Sequence, residues 1–311
     1  WVLQTKGRQL KLGRGGTQLL LDMTNPKVQD FAFGIVDDLL TKYPEIAYIK
    51  WDANASIQNV GSLYLPMDKQ TNLYVDYQLG LLKVLQRVRA KYPNVVIQDC
   101  ASGGGRVNYG MLPYFDEFWA SDNTDALQRV FIQWGTSLFF PANAMAAHIN
   151  HCPYWNTGKR VIPVKFRCDV AMSGRLGIEL QPKDMSREER SQVEICFKDY
   201  KELREVIQLG DLYRLITPYN RKGVASLMYR FGDEAVLFVY KVDNFYGQSL
   251  PRIRWEGLNP DKTYTLMEKN IRAGEKPCSL SGKQFSGRFL MSVGIEVPLW
   301  EDYASRVFSI K

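Results

Sequence analysis

The feature that most constrains this 311-residue chain is an alternation. Through about residue 209, short apolar runs rich in β-formers trade places with stretches of helical period. Alternation of this kind implies parallel strands, because a parallel pair needs a helical crossover between its members. Gln18–Asp22 reads as the first strand. Asn25 and Pro26 then supply a helix cap and a first-turn proline. Val28, Phe31, Ile35, Val36, Leu39 and Leu40 follow at helical spacing, and Tyr43-Pro44 ends the helix. Ile46–Asp52 is the next strand, and a loop bearing Gly, Ser and Pro covers 55–70. A helix over about 72–92 carries Leu81, Val84, Leu85 and Val88 on one face. Further strands are expected at Val95–Cys100, Phe118–Asp122, Ser137–Phe140 and Cys168–Met172. The last long helix opens on a capping box, Ser186 with Glu189, and runs to about Gln208.

These are six strand units, two short of a closed (β/α)8 barrel. The α/β part is therefore expected to be an open sheet or an incomplete TIM barrel without its first strands. Several units end in a polar residue followed by a loop, where a barrel keeps its active site. From about Gly210 the helical period disappears. The runs 224–231, 234–241, 252–255, 263–269, 289–293 and 306–310 read as short strands separated by turn residues, which predicts an antiparallel β-sandwich. The expected domains are 1–209, a partial barrel, and 210–311, the sandwich.

The net charge of +7 comes without a concentrated basic run. Lys and Arg are interspersed with Asp and Glu, and neither zinc-finger spacing nor an RNA-binding motif is present, so nucleic acid is not an expected partner. No apolar run reaches the length of a membrane span, so no membrane partner is expected either. The five cysteines, at 100, 152, 168, 196 and 278, form no CxxC pair and are odd in number, which speaks against a cysteine metal site and a disulfide framework. No signal peptide is visible, but the chain opens on Trp1 rather than Met, so the compartment, cytoplasmic or periplasmic, is left undecided.

Chemistry concentrates at strand ends. In Tyr48-Ile49-Lys50-Trp51-Asp52, the two-residue period puts Tyr48, Lys50 and Asp52 on one face. A cation beside Asp52 favours its ionised form, as a carboxylate nucleophile requires. The same pattern also fits a Lys–Asp pair that merely caps a strand. In Trp119-Ala-Ser-Asp122-Asn-Thr-Asp125, an aromatic wall beside Asp122 would keep a proton on it until needed. Asp125 reads better as the cap of the helix that follows. Between them, Cys100-Ala-Ser-Gly-Gly-Gly-Arg106 offers a backbone that can approach a ligand closely, or simply a tight turn. Cys100 as an acyl-transfer nucleophile would need His148 or His151, both expected in one loop after the strand at 137–140. Asp99 points away from Gln98 and Cys100 and reads as structural, while Asp22 is ambiguous.

Together these segments resemble glycoside hydrolase family 36, the α-galactosidases. The stretch WVL…GR…QLLLD looks like the part that precedes the family's nucleophile strand. YIKWDAN is similar to its K-W-D-x-N signature, CASGGGR to its Cys-x-x-Gly-x-Gly-Arg loop, and WASDNTDA to its S-D-N-T-D segment. VAMSGRLGIEL and the closing β domain also fit. The resemblance spans the whole chain but only the later part of the family's barrel, roughly strands three to eight of the eight. It implies a retaining α-galactosidase with Asp52 as nucleophile and Asp122 as general acid/base. Lys50, Asn54, Cys100 and Gly103 would contact the galactosyl ring. Arg14 looks like the family's sugar-binding arginine, although GRGGTQ stands where the family usually has GRNQ. Ala53 replaces a common Met and implies a slightly wider pocket. No metal or cofactor is implied, the substrate is an α-galactoside oligosaccharide, and the full-length protein is expected to be a homo-oligomer. The family's N-terminal β domain and first barrel strands are not in this chain, and with them go an acidic pair and an aromatic residue that help bind galactose. The isolated chain is accordingly expected to fold poorly or lack activity. A raffinose-synthase-like galactosyltransferase, an α-N-acetylgalactosaminidase and a non-catalytic sugar-binding fragment are the alternatives.

Overall fold

The computed structural model describes residues 1–10, 12–13, 16, 18–56, 60–154, 160–220, 222–244 and 249–311. They form two compact units, Trp1–Trp119 and Ala120–Lys311. Among the described residues no helix is long and apolar enough to cross a membrane.

In the first unit, helix α1 (Pro26–Lys42) starts where the Asn25 side chain accepts a hydrogen bond from the Lys27 N–H. It is followed by β1 (Tyr48–Asp52), α2 (Leu73–Lys91), β2 (Val96–Cys100) and β3 (Glu117–Trp119). β1 pairs in parallel with β2, and β2 in parallel with β3. Val28, Ala32, Val36 and Leu40 of α1 share a core with Leu81, Val84, Leu85 and Val88 of α2, and Ile97 of β2 joins them. Gly80 lets α2 pass close to the preceding chain: a Cβ there would lie 1.8 Å from the Met23 carbonyl oxygen. The expected strand Gln18–Asp22 is not one. Among the described residues it makes only single bridges, Gln18 to Gly13 and Leu21 to Val2. Its last residue turns inward instead, the Asp22 carboxylate accepting from Thr24 and from the Ser62 hydroxyl.

The second unit begins with α3 (Ala126–Thr136), β4 (Met145–Ile149), α4 (Val164–Met172), β5 (Arg175–Ile178) and α5 (Arg187–Leu209). β4 and β5 are parallel, with His148 opposite Gly177. Two expectations are overturned here. Residues 137–140 are not a strand but the turns that follow α3, where the N–H groups of Ser137, Leu138, Phe139 and Phe140 bond back to carbonyls of residues 133–136. Cys168–Met172 is helix, not strand. All nine residues of α4 are buried, so no polar face exists to reveal a helical period. α5 opens on the expected capping box of Ser186 and Glu189.

The rest is a six-stranded antiparallel sheet in the order β10-β9-β11-β8-β7-β6. Its strands are β6 (Asp211–Ile216), β7 (Val224–Phe231), β8 (Glu234–Lys241), β9 (Thr263–Lys269), β10 (Gln284–Ser286) and β11 (Ser305–Ile310). β7 and β8 are buried on both faces, which explains their near-continuous apolar runs. One face, with Ala225, Leu227, Tyr229, Val236, Phe238 and Tyr240, belongs to a core shared with α4 and α5. The other, with Met228, Leu237 and Val239, meets Trp255, Leu258, Leu290 and Ile295. That opposing layer is built differently from the sequence expectation. Residues 252–255 make a single bridge, Ile253 to Ile295, and 289–293 falls mostly within a short helix, α6 (Gly287–Ser292), capped by Ser286.

A buried polar network ties the sheet to its helices. Asp169 of α4, fully enclosed, accepts from Lys165 Nζ at 2.5 Å, from Asn270 Nδ2 at 2.6 Å and from the Ser305 hydroxyl at 2.6 Å. Gln192 of α5 extends it, donating to Asn270 Oδ1 at 2.7 Å.

Candidate active site

Asp52 closes β1 and stands opposite Cys100, the last residue of β2. The two-residue period holds: Tyr48, Lys50 and Asp52 are the exposed set, while Ile49 and Trp51 are half-buried toward the helices. Asp52 Oδ2 accepts from Asn54 Nδ2 at 2.9 Å. Asn54 Oδ1 in turn accepts from the Ser102 N–H at 2.6 Å and from its hydroxyl at 3.2 Å. One amide thus links the carboxylate to the glycine-rich loop. The Cys100 thiol is pushed up to about 11, first by burial and further by the Asp52 carboxylate, against a hydrogen bond from the Gly103 backbone. It is therefore a neutral donor next to Asp52. Lys50 extends its ammonium over the Trp119 ring, 5.2 Å from the centroid.

The loop after β2 has the shape its sequence demands. Ser102 and Gly103 adopt φ of +51° and +84°, and a Cβ on Gly105 would lie 2.5 Å from the Ala101 carbonyl oxygen. Arg106 ends the loop by folding back. Its Nε donates to Asp99 Oδ1 at 2.5 Å, and its Nη2 donates to the Trp51 carbonyl, next to Asp52, at 2.9 Å. Burial raises the Asp99 carboxyl, and Arg106 opposes that rise. Lys50, Asp52, Ala53, Asn54 and Arg106 line a cavity of about 520 Å³, together with apolar side chains including Leu19, Leu21, Ile35 and Leu39.

Asp122 stands in the second unit. Strand β3 stops at Trp119, so Asp122 is carried by the loop before α3 rather than by the strand itself. That loop is a ladder of local turns. Ser121 Oγ accepts from the Asn123 N–H, Asn123 Oδ1 from the Asp125 N–H, and Asp125 Oδ1 from the Gln128 N–H. Asp125 is the helix cap, as expected, and Arg160 Nε lies 3.3 Å from its second oxygen. The Tyr154 hydroxyl donates to the Asp122 carbonyl at 2.7 Å, leaving the residue's side chain exposed. Buried Arg129 holds the loop from below through Ser121 O, at 3.2 Å, and reaches Ala146 O of β4 at 2.9 Å. Burial lowers that guanidinium to about 10.

The first unit therefore brings together Asp52, Asn54, Cys100 and Gly103, with Lys50 on the same strand face. Arg14 lies outside the described residues. His148 is not in a loop but in β4, its Nδ1 4.0 Å from Glu179 Oε2; His151 does follow the strand in a loop. With its thiol at about 11, Cys100 is a poor candidate for acyl transfer. Sequence reasoning missed the tethers: Arg106 to Trp51, Arg129 to Ser121, and Tyr154 to Asp122. A readable hint existed for the first, since Asp99 and Arg106 are opposite charges flanking a glycine turn.

Residues 1–210 match the Melibiase family model, and residues 226–310 match the glycosyl hydrolase family 36 C-terminal domain. The chain belongs to glycoside hydrolase family 36. It is 37% identical over 309 residues to a probable alpha-galactosidase C of Aspergillus terreus, covering 99% of this chain and 38% of that protein. It is 34% identical over 314 residues to alpha-galactosidase 1 of Pediococcus pentosaceus, covering 100% and 40%. Among solved structures, the family 36 alpha-galactosidase AgaA of Geobacillus stearothermophilus, in complex with raffinose, superposes with a TM-score of 0.90 at 32% identity, over 100% of this chain and 41% of that one. The chain thus spans about two fifths of the length of the family 36 relatives it matches. Its fold class is that of the family, later strands of a (β/α)8 barrel followed by an antiparallel β domain.

Proposed function

We propose that the protein carrying this chain is a retaining α-galactosidase that removes terminal α-galactosyl residues from oligosaccharides. The observation that carries the reading is Asp52 itself. It is an exposed carboxylate at the C-terminal end of a parallel strand, one oxygen fixed by Asn54 and a protonated thiol beside it. A group held in one orientation by its neighbours is prepared for attack in one direction.

In this mechanism Asp52 attacks the anomeric carbon while Asp122 protonates the departing glycosidic oxygen. The bond to the leaving sugar breaks as the Asp52 ester forms. Asp122 then takes a proton from water, which attacks the same carbon and returns Asp52 as a carboxylate. Two opposite displacements keep the α configuration. Lys50, Asn54, Cys100 and Gly103 position the ring, and Arg14 is assigned to sugar binding by its place before the nucleophile strand. The substrate class follows the relatives: AgaA structures hold raffinose and stachyose. The division into a partial barrel over 1–209 and a β domain over 210–311 draws support from the two family models. A homo-oligomeric full-length protein is part of the same reading.

The test uses Asp52→Gly and Asp122→Ala in the full-length protein, with an activated aryl α-galactoside and azide. Azide should restore turnover to both. It should yield β-galactosyl azide from Asp52→Gly, where it replaces the nucleophile, and α-galactosyl azide from Asp122→Ala, where it replaces water. Near-normal hydrolysis by Asp52→Gly without azide removes Asp52 as nucleophile, and the reversed pair of anomers would exchange the two roles.

A further inference from the structure

Trp300 is 86% exposed, more than any other large apolar side chain among the described residues. It borders a groove of about 630 Å³ on the C-terminal β domain, which also takes in Asp243, Asn244, Ser249 and Glu296. That volume falls within the range of small-molecule sites, about 300–1,000 Å³. From these features we infer that the groove is a second carbohydrate-binding site, where Trp300 stacks against the apolar face of a pyranose ring and the surrounding amide and carboxylates bind its hydroxyls.

Three observations carry this. The first is isolation of the indole. Among the described apolar residues that line the groove, Val297 and Leu299 are 7% and 3% exposed and Leu250, Pro251 and Pro298 are half-buried, so Trp300 is the one that projects fully from the surface. A protein interface is built on a contiguous apolar core. A single aromatic among carboxylates, an amide and a hydroxyl matches instead a ligand with one apolar face and a polar edge.

The second is that the loop is held in place before any ligand arrives. Lys241, only 7% exposed, donates from Nζ to the Trp300 carbonyl at 3.1 Å, and its N–H donates to Ala304 O at 2.9 Å. Asn244 Nδ2 reaches Asp302 Oδ1 at 2.8 Å, tying the two sides of the loop pair. A loop whose backbone is fixed in this way has less ordering left to lose when a ligand binds.

The third is the balance of acceptors and donors. Glu296 is paired with Arg252 through Oε1, and Asp243 Oδ1 accepts from the Asn244 N–H, but each carboxylate has a second oxygen that can accept from a sugar hydroxyl. The Asn244 amide, one N–H of which goes to Asp302, has a carbonyl and a second N–H to offer. The site shares no residue with the Asp52 and Asp122 constellation and does not depend on its assignment.

The experiment is ¹⁹F NMR of the full-length protein labelled with 5-fluorotryptophan, the Trp300 signal being the one lost in Trp300→Phe. Galactose is the probe, because it binds without being turned over, and sorbitol is the control, because it has the hydroxyls without a rigid ring face. Galactose should move the Trp300 signal saturably with about millimolar affinity, while sorbitol leaves it in place. Glu296→Ala should weaken that saturation several-fold without moving the signal of the sugar-free protein. Trp300→Ala should leave aryl α-galactoside hydrolysis unchanged. No shift with galactose, an equal shift with sorbitol, or a sugar-independent signal that depends on protein concentration would each overturn the assignment, the last by making the ring a contact between copies of the chain.

Discussion

Cys100 is the most informative single residue, because its environment predicts its behaviour with pH. Its folded value, about 11, lies above the ordinary thiol value of 9.0. The stability it contributes is fully present below pH 9 and fades as pH rises toward 11. Iodoacetamide should therefore label Cys100 slowly at neutral pH, with a rate that climbs toward a midpoint near 11, read by peptide mass spectrometry. Asp52→Asn removes the neighbouring negative charge and should move that midpoint down. Arg106 makes a second prediction. Arg106→Lys keeps the charge but cannot reach both Asp99 and the Trp51 carbonyl in a planar fork, so kcat should fall while KM changes little. Much of this cluster was legible from strand parity, which placed Lys50 and Asp52 on one face. What parity could not show was Asn54 bridging to Ser102, a contact between residues 48 positions apart that exists only once β1 and β2 are paired.

At the scale of elements, legibility followed the polar face. α1, α2 and α5 each have one, and their spans, with the caps of α1 and α5, were readable to within a residue or two. α4 has none and reads like a buried strand. β4, with Ala146 and Ala147 at its centre and Ile149 as its one β-branched residue, announces a strand weakly, and the aromatic run just after α3 was expected as the strand in its place. The glycine in α2 gives the sharpest test of element packing. Gly80→Ala would put a methyl group against the Met23 carbonyl, where backbone has to move. The expected loss is about 1–3 kcal/mol by urea unfolding, despite alanine's better helix propensity. Ser186→Ala should cost about 1 kcal/mol by the same measurement, through loss of the capping box.

At the scale of the larger unit, stability depends on polar groups that cannot be removed singly. Asp169→Ala would strand Lys165, whose side chain is 8% exposed, and leave Asn270 and Ser305 without their acceptor. The expected cost is about 3–5 kcal/mol. Asp169→Leu combined with Lys165→Met should cost far less, a contrast that thermal unfolding of the two variants can check. The two-faced burial of β7 and β8 has a consequence for how such proteins can be recombined. The polypeptide passes from α5 to β6 between Leu209 and Asp211, an inviting place to join one homologue to another. Yet Leu227, Tyr229, Phe238 and Tyr240 take their packing partners from upstream of that point. A chimera spliced there inherits a sheet moulded to someone else's helices, whereas one that carries α4 and α5 along with the sheet keeps lock and key from the same parent.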